Sequence, residues 1–202
     1  MKQNSITDKK IIGLTGGSGS GKSTIGRGAA GNDFLYIDAD RLGQQVILKG
    51  EPAFDELTDI FGKDILGSDG EIDRKKLGGI VFADKEKLAQ LNAISHHYIK
   101  QKVIEMIATT GKKGIILDGA VIIGSVMQDM CDGIVSVLAD KEVRIGRILA
   151  RDNISREMAE RRIANQPDDE FYIKNSDYII YNNKETAKAI NEGTEIFGRI
   201  IR

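Results

Sequence analysis

At 202 residues, 41% apolar and 29% charged, the chain has the composition of a globular domain long enough to bury a sizeable core. Its 29 basic and 30 acidic side chains leave a formal net charge of −1, which removes any general attraction to nucleic acid or to an anionic membrane. A single cysteine, Cys131, excludes an internal disulfide; with no apolar run near the ~18 residues of a membrane span and no signal-like stretch in Met-Lys-Gln-Asn-Ser-Ile-Thr-Asp, the expected location is the cytoplasm.

The first predicted element is a strand over residues 10–15, with Ile11, Ile12 and Leu14 as its apolar members. Residues 16–23 follow as Gly-Gly-Ser-Gly-Ser-Gly-Lys-Ser and fill every fixed position of G-x-x-x-x-G-K-[ST], ahead of a helix-compatible segment. Glycines let consecutive backbone N–H groups converge on one anion, so Gly16, Gly17, Ser18, Gly19, Ser20 and Gly21 are expected to wrap a nucleotide phosphate. Lys22 is expected to reach the β- and γ-phosphates, and the Ser23 hydroxyl to ligate Mg²⁺. Thr24 reads equally as a donor near the α-phosphate or as a helix-start hydroxyl. The helix itself carries Gly26, Gly28 and Gly31, each costing up to ~1 kcal/mol against alanine in a helix interior.

A second strand over 34–38 leads into Asp38-Ala39-Asp40. Extended chain here predicts both carboxylates on one face, at the strand end where α/β proteins bind ligands. Asp40 is the candidate base that orients an acceptor hydroxyl and takes its proton late, and Asp38 a candidate for positioning it or for holding metal-bound water. Either aspartate also suits a helix cap before Arg41.

About seventy residues then read as helical. Pro52 starts one helix with an apolar face of Phe54, Leu57, Ile60 and Phe61; Asp69-Gly70 marks a turn. Asp73 caps a helix through Phe82, and a longer helix runs from about residue 84 to 109. One crossover needs only ten or so residues, so this stretch is an insertion placed to cover an acceptor. Strands over 114–118 and 133–138 flank Cys131, which reads as a small buried residue rather than a reactive thiol. Asp118, ending its run, is read equally as a metal-water ligand or a strand-end hydrogen-bonding group.

Arg144, Arg147 and Arg151 fall three and four residues apart and share a helix face without acids. Arginine forks suit a transferring phosphoryl group, so Arg147 and Arg151 are expected at the nucleotide. Asp152-Asn153 breaks that helix and Ser155 restarts it, the interruption a hinged lid requires. A strand over 177–182 and a structural helix over 184–201, with Ala187, Ile190, Phe197 and Ile200 inward, complete the chain.

These residues together resemble the dephospho-coenzyme A kinases. The resemblance rests on residues 12–24, on Ile37-Asp38-Ala39-Asp40, on Lys49-Gly50-Glu51-Pro52, Phe61-Gly62 and Asp69-Gly70, and on Asp73-Arg74-Lys75-Lys76-Leu77 with Ile80-Val81-Phe82. Leu91-Asn92, His96, Arg147, Arg151-Asp152, Gln166, Asp177 and Asn182 extend it to residue 182. It implies an α/β P-loop NTPase three-layer fold with a five-stranded parallel sheet: core 9–41 and 112–202, helical acceptor lobe about 42–111, lid about 151–166. It implies transfer of the ATP γ-phosphate to the ribose 3′-hydroxyl of dephospho-coenzyme A, with Asp40 as base and Lys22 and Arg147 assisting; a monomer or weak homo-oligomer without nucleic-acid or membrane partners is expected. His96 is matched too, in a packing role.

The sequence departs from the family where Pro-Leu-Leu-x-Glu is usual: Gly119-Ala120-Val121-Ile122-Ile123-Gly124 lacks both proline and carboxylate, and His96-His97 replaces His-Pro. Another small-molecule kinase and a non-catalytic nucleotide binder therefore stay open. A GTPase switch lacks support, since Asn183-Lys184-Glu185-Thr186 has no aspartate at the base-reading position.

Overall fold

The computed structural model describes residues 8–202; the N-terminal segment read above as free of a leader lies, over residues 1–7, outside them. The chain divides into two compact units, one of residues 8–38 with 107–202 and one of residues 39–106. The first is built on five parallel strands, β1 (Lys10–Thr15), β2 (Phe34–Asp38), β3 (Gly114–Asp118), β4 (Gly133–Leu138) and β5 (Tyr178–Tyr181), in the order β2-β3-β1-β4-β5. β1, β3 and β4 are buried along nearly their whole length, as expected of a parallel sheet covered on both faces. The register sets Leu14 and Asp38 beside Asp118, and Thr15 beside Ser136, so the C-terminal strand ends align under the loop that leaves β1.

Helices α1 (Lys22–Ala30) and α9 (Thr186–Ile200) pack together over this sheet. Ile25 and Ala29 of α1 and Ala189, Ile196 and Phe197 of α9 join Ile12, Leu14, Ile116 and Val135 in the main core. Phe197 meets Phe34 edge-on at 5.9 Å between ring centroids. Two of the helix glycines that propensity disfavours are explained by this closeness. A Cβ on Gly26 would stand 2.6 Å from Leu14 Cδ2, and one on Gly28 would stand 2.7 Å from Ile190 Cδ1. Gly31 is not in the helix interior; it caps the C-terminus at φ +49°. The inward face of α9 is carried by Ala189, Gly193, Ile196 and Phe197, with Ile190 and Ile200 partly buried. Ala187, expected inward, is exposed: two residues from Ala189 is about 200° around the helix.

Helix α6 (Lys141–Asp152) ends at Asn153 in the left-handed conformation, φ +50°, and α7 (Arg156–Ala164) restarts under a Ser155 cap that accepts from Met158 N–H. A small separate core of Ile145, Ile148 and Ala159 holds the two together. α8 (Asp169–Lys174), capped by Asp168, leads back to β5.

The second unit is helical: α2 (Ala39–Gln45), α3 (Pro52–Phe61), α4 (Arg74–Val81) and most of α5 (Lys85–Thr109). Pro52 begins α3, and Gly62 ends it at φ +80°. Asp73 caps α4 by accepting from Lys75 N–H at 2.8 Å and Lys76 N–H at 3.3 Å. Ala53, Phe54 and Leu57 are the buried face of α3; Ile60, expected with them, is 48% exposed in the last turn before Gly62.

Candidate active site

The loop of residues 16–21 is shaped from behind. A Cβ on Gly16 would stand 2.3 Å from Val137 O, on Gly17 2.3 Å from the Arg144 guanidinium, on Gly19 2.6 Å from Arg144 O, and on Gly21 2.3 Å from Asn182 Nδ2. These contacts, as much as the positive φ of Gly19 (+80°) and Gly21 (+93°), are why glycine stands there.

The same neighbours bind the loop's carbonyls. Arg144 Nε donates to Ser18 O at 3.0 Å. Arg147 donates through one terminal nitrogen to Gly19 O at 3.3 Å and Ser20 O at 3.0 Å, and through the other to Asn182 O at 2.9 Å. Asn182 Nδ2 adds a second donor to Ser20 O at 2.8 Å. In a trans peptide the C=O and the next N–H point opposite ways. Anchoring Ser18 O and Ser20 O on the rear therefore turns the N–H groups of Gly19 and Gly21 to the other side. Gln166 Oε1 accepts from Ser18 N–H at 2.8 Å and from Arg144 at 3.0 Å, tying the segment after α7 to the loop.

The loop delivers the chain to the N-terminus of α1, where no side chain caps the helix and the first turn holds no acid. Its leading N–H groups have no intrahelical acceptor, and the helix dipole adds partial positive charge, so an anion is the fitting partner.

At this end a compact polar cluster is held by Asp118, only 1% exposed. Its Oδ1 forms an ion pair with Lys22 Nζ at 2.9 Å. Its Oδ2 accepts from Ser23 Oγ at 2.6 Å and from the Tyr36 hydroxyl. Burial first, and the hydrogen bond to Asp118 second, push the Tyr36 phenol well above its ordinary value, so it stays a donor. Asp38, by contrast, pairs with Arg27 at 3.2 Å, and the Arg27 guanidinium lies 5.2 Å over the Tyr36 ring.

The sequence-predicted residues are thus brought together unequally. Lys22 and Ser23 meet Asp118, while Arg147 touches the loop's backbone. Arg151 sets its fork on the Asp152 carboxylate at 2.6 and 2.9 Å, where Arg162 also binds. These two arginines hold the Asp152 carboxyl at about 2. The acid-free face of α6 therefore serves, through Arg144 and Arg147, loop carbonyls. Thr24 is exposed in the first turn of α1.

The extended geometry expected for Asp38 and Asp40 is corrected: Ala39 already opens α2, which puts Asp40, exposed, in a first helical turn. His96 is half-buried in α5, and burial holds its imidazole below the usual value, in keeping with packing. In residues 119–124, Ile122 is buried while Val121 is 65% exposed.

Tyr36 joins the cluster unannounced by any motif, and Arg144, read from the sequence only as part of an arginine face, contacts the loop. For Tyr36 the signal was a polar-tipped aromatic two residues before Asp38, on the same strand face.

A family model described as Dephospho-CoA kinase matches residues 10–188. The chain is similar to the Dephospho-CoA kinase of Fusobacterium nucleatum, with 42% identity over 173 residues covering 86% of this chain and 89% of that one. It is similar as well to the Dephospho-CoA kinase of Carboxydothermus hydrogenoformans, with 40% identity over 175 residues and 85% of each chain. A crystal structure of a Thermus thermophilus protein superposes with a TM-score of 0.83 at 25% identity, covering 96% of this chain and 98% of that one.

Proposed function

Because the chain belongs to the dephospho-coenzyme A kinase family, we propose that it transfers the γ-phosphate of ATP to the ribose 3′-hydroxyl of dephospho-coenzyme A, giving coenzyme A and ADP. The observation that carries the reading is the Lys22–Asp118–Ser23 cluster at the mouth of an uncapped helix whose loop amides are aimed from behind.

The loop of residues 16–21 and the first turn of α1 hold the phosphates, with the N–H groups of Gly19 and Gly21 turned toward them and Thr24 at the α-phosphate side, while the Ser18 N–H stays on Gln166. Lys22 follows the negative charge that builds on the transferring group. A magnesium ion bound with the nucleotide would be held by Ser23 and would supply positive charge against that of the phosphates. Ser23 suits it: its proton is committed to Asp118, leaving oxygen lone pairs to a hard cation. Asp118 is the better supported partner for metal-bound water than Asp38, since it already holds the Ser23 hydroxyl while Asp38 faces Arg27. Arg147 acts by fixing the loop carbonyls. Arg151, with the rest of the 151–166 lid, approaches the nucleotide only after leaving Asp152.

Asp40, in the first turn of α2, orients the 3′-hydroxyl and receives its proton as the bond to phosphorus forms. The helical unit is the acceptor lobe. The reaction runs on soluble substrates in the cytoplasm, with the chain as a monomer or weak homo-oligomer. Among the described residues no helix is long and apolar enough to cross a membrane.

The test is a coupled ADP-release assay with ATP, Mg²⁺ and dephospho-coenzyme A, run beside a panel of nucleosides. Turnover specific to dephospho-coenzyme A is expected. With Asp40→Asn, kcat falls by about 10²–10⁴-fold while ATP affinity holds. Turnover only on another alcohol, or none on any acceptor, would reject the assignment.

A further inference from the structure

One side chain in the cluster has no place in the scheme above. Tyr36 stands in β2, and its hydroxyl donates to Asp118 Oδ2, the same oxygen that accepts the Ser23 hydroxyl at 2.6 Å. The contact spans 82 positions of the chain and closes a hydrogen-bond network on an aspartate that is 1% exposed. The ring is itself held: a Cβ on Gly26 would come within 2.8 Å of Tyr36 Cε2, and the Arg27 guanidinium covers the face. The hydroxyl is therefore delivered to Asp118 by a fixed ring.

Ser23 can turn its O–H either way. A serine that donates to a carboxylate keeps its lone pairs for a cation; one that points its proton outward offers that cation a positive end. Which holds depends on where the Asp118 carboxylate sits. Lys22 pulls on Oδ1 from one side. With no second donor on Oδ2, the carboxylate is free to rotate toward the ammonium, and Ser23 loses its acceptor. With Tyr36 in place, Oδ2 is held between two hydroxyls.

We propose that Tyr36 is a positioning residue for the divalent cation: through Asp118 it keeps the Ser23 hydroxyl turned so that its oxygen lone pairs face the nucleotide's metal. This rests on the phosphotransferase reading given above. It assigns Tyr36 to metal recognition and neither to phosphate binding nor to the acceptor.

The test separates the metal's share of nucleotide binding from the rest. Calorimetry gives ADP affinity in the presence of a chelator and then with Mg²⁺, and spin resonance of Mn²⁺ on the ADP-loaded protein reads the metal directly. Tyr36→Phe keeps the ring and removes the O–H. It should leave metal-free ADP binding within about twofold and cut the gain in affinity from Mg²⁺ by about tenfold, the loss expected for one charge-assisted hydrogen bond. Ser23→Ala should lose that gain too, and adding Tyr36→Phe to Ser23→Ala should then have no further effect. Equal loss of metal-free and metal-loaded binding would make Tyr36 a scaffold residue and overturn the proposal, as would additive effects or an unchanged Mg²⁺ gain. Should the Phe variant unfold, 3-fluorotyrosine at position 36, a stronger donor of nearly equal size, must raise the Mg²⁺ gain; no change overturns the proposal. Wild-type protein that binds Mg-ADP but fails to phosphorylate dephospho-coenzyme A would sink the functional reading and leave this inference standing.

Discussion

Gly26→Ala sets two known effects against each other at one carbon atom. Alanine is the better helix former in the interior of α1, by about 0.5–1 kcal/mol. The new methyl, however, would stand 2.6 Å from Leu14 Cδ2 and 2.8 Å from Tyr36 Cε2. Leu14 is fully buried in the central strand, and Tyr36 is tied to Asp118, so neither neighbour yields freely. Overpacking of this kind costs about 1–3 kcal/mol, which exceeds the propensity gain. The net expectation is a loss of about 1–2 kcal/mol, or a Tm lower by roughly 2–8 °C for a chain of this size. Gly146→Ala is the matched control. Gly146 is an exposed interior residue of α6, with nothing within 4 Å of the position its Cβ would take. There only propensity acts, and stability should rise by about 0.5–1 kcal/mol. Both variants are measured by calorimetry and urea unfolding against wild type. A Gly26→Ala protein as stabilised as Gly146→Ala would refute the claim that the α1 glycines exist for close packing.

Arg144→Met keeps the apolar stem but strips donors from Ser18 O and Gln166 Oε1; stability should fall by roughly 2–4 kcal/mol, and the KM for ATP should rise several-fold as the Gly19 amide loses its aim. Unchanged stability with a normal KM would mean that the buried guanidinium is incidental. Cys131, whose thiol donates to Met127 O at 3.2 Å and is pushed by burial up to about 12, should resist iodoacetamide at pH 8 in the folded protein and react once unfolded. Labelling of native protein at the rate of a free thiol would contradict that environment.

The strands, the phosphate loop and the capped helices were legible because each is written locally: an apolar run, a glycine pattern, or an aspartate ahead of two amides. What was not legible required a partner far along the chain. Tyr36 gives no hint of Asp118, which only the parallel pairing of β2 with β3 brings near. The α6 face was read correctly as a row of arginines sharing one side, yet spacing does not say what anion they meet. Carbonyl oxygens carry the same sign of charge as phosphate, and for Arg144 and Arg147 they are the partners. For Asp38-Ala39-Asp40 the error was local. Treating the strand as continuing one residue too far changed a shared face into a helix start.

The cluster at Asp118 also bears on how a buried ion pair can serve catalysis. Lys22 paired to Asp118 at 2.9 Å is charged and close to the loop, but its charge is already answered. For Lys22 to serve a phosphate it must give up that partner. Stripping one member from a buried pair costs several kcal/mol when the other is left bare. Asp118 would not be left bare, because the hydroxyls of Ser23 and Tyr36 still donate to it. A hydrogen bond to a charged group contributes about 1.5–3 kcal/mol, so the one from Ser23 already offsets much of the loss. Ser23 keeps Oδ2 answered when Lys22 leaves Oδ1, so the lysine stays transferable whether or not Tyr36 donates beside it. A site with Lys22 and Asp118 but with no hydroxyl at all on that carboxylate would hold its lysine too tightly to share it.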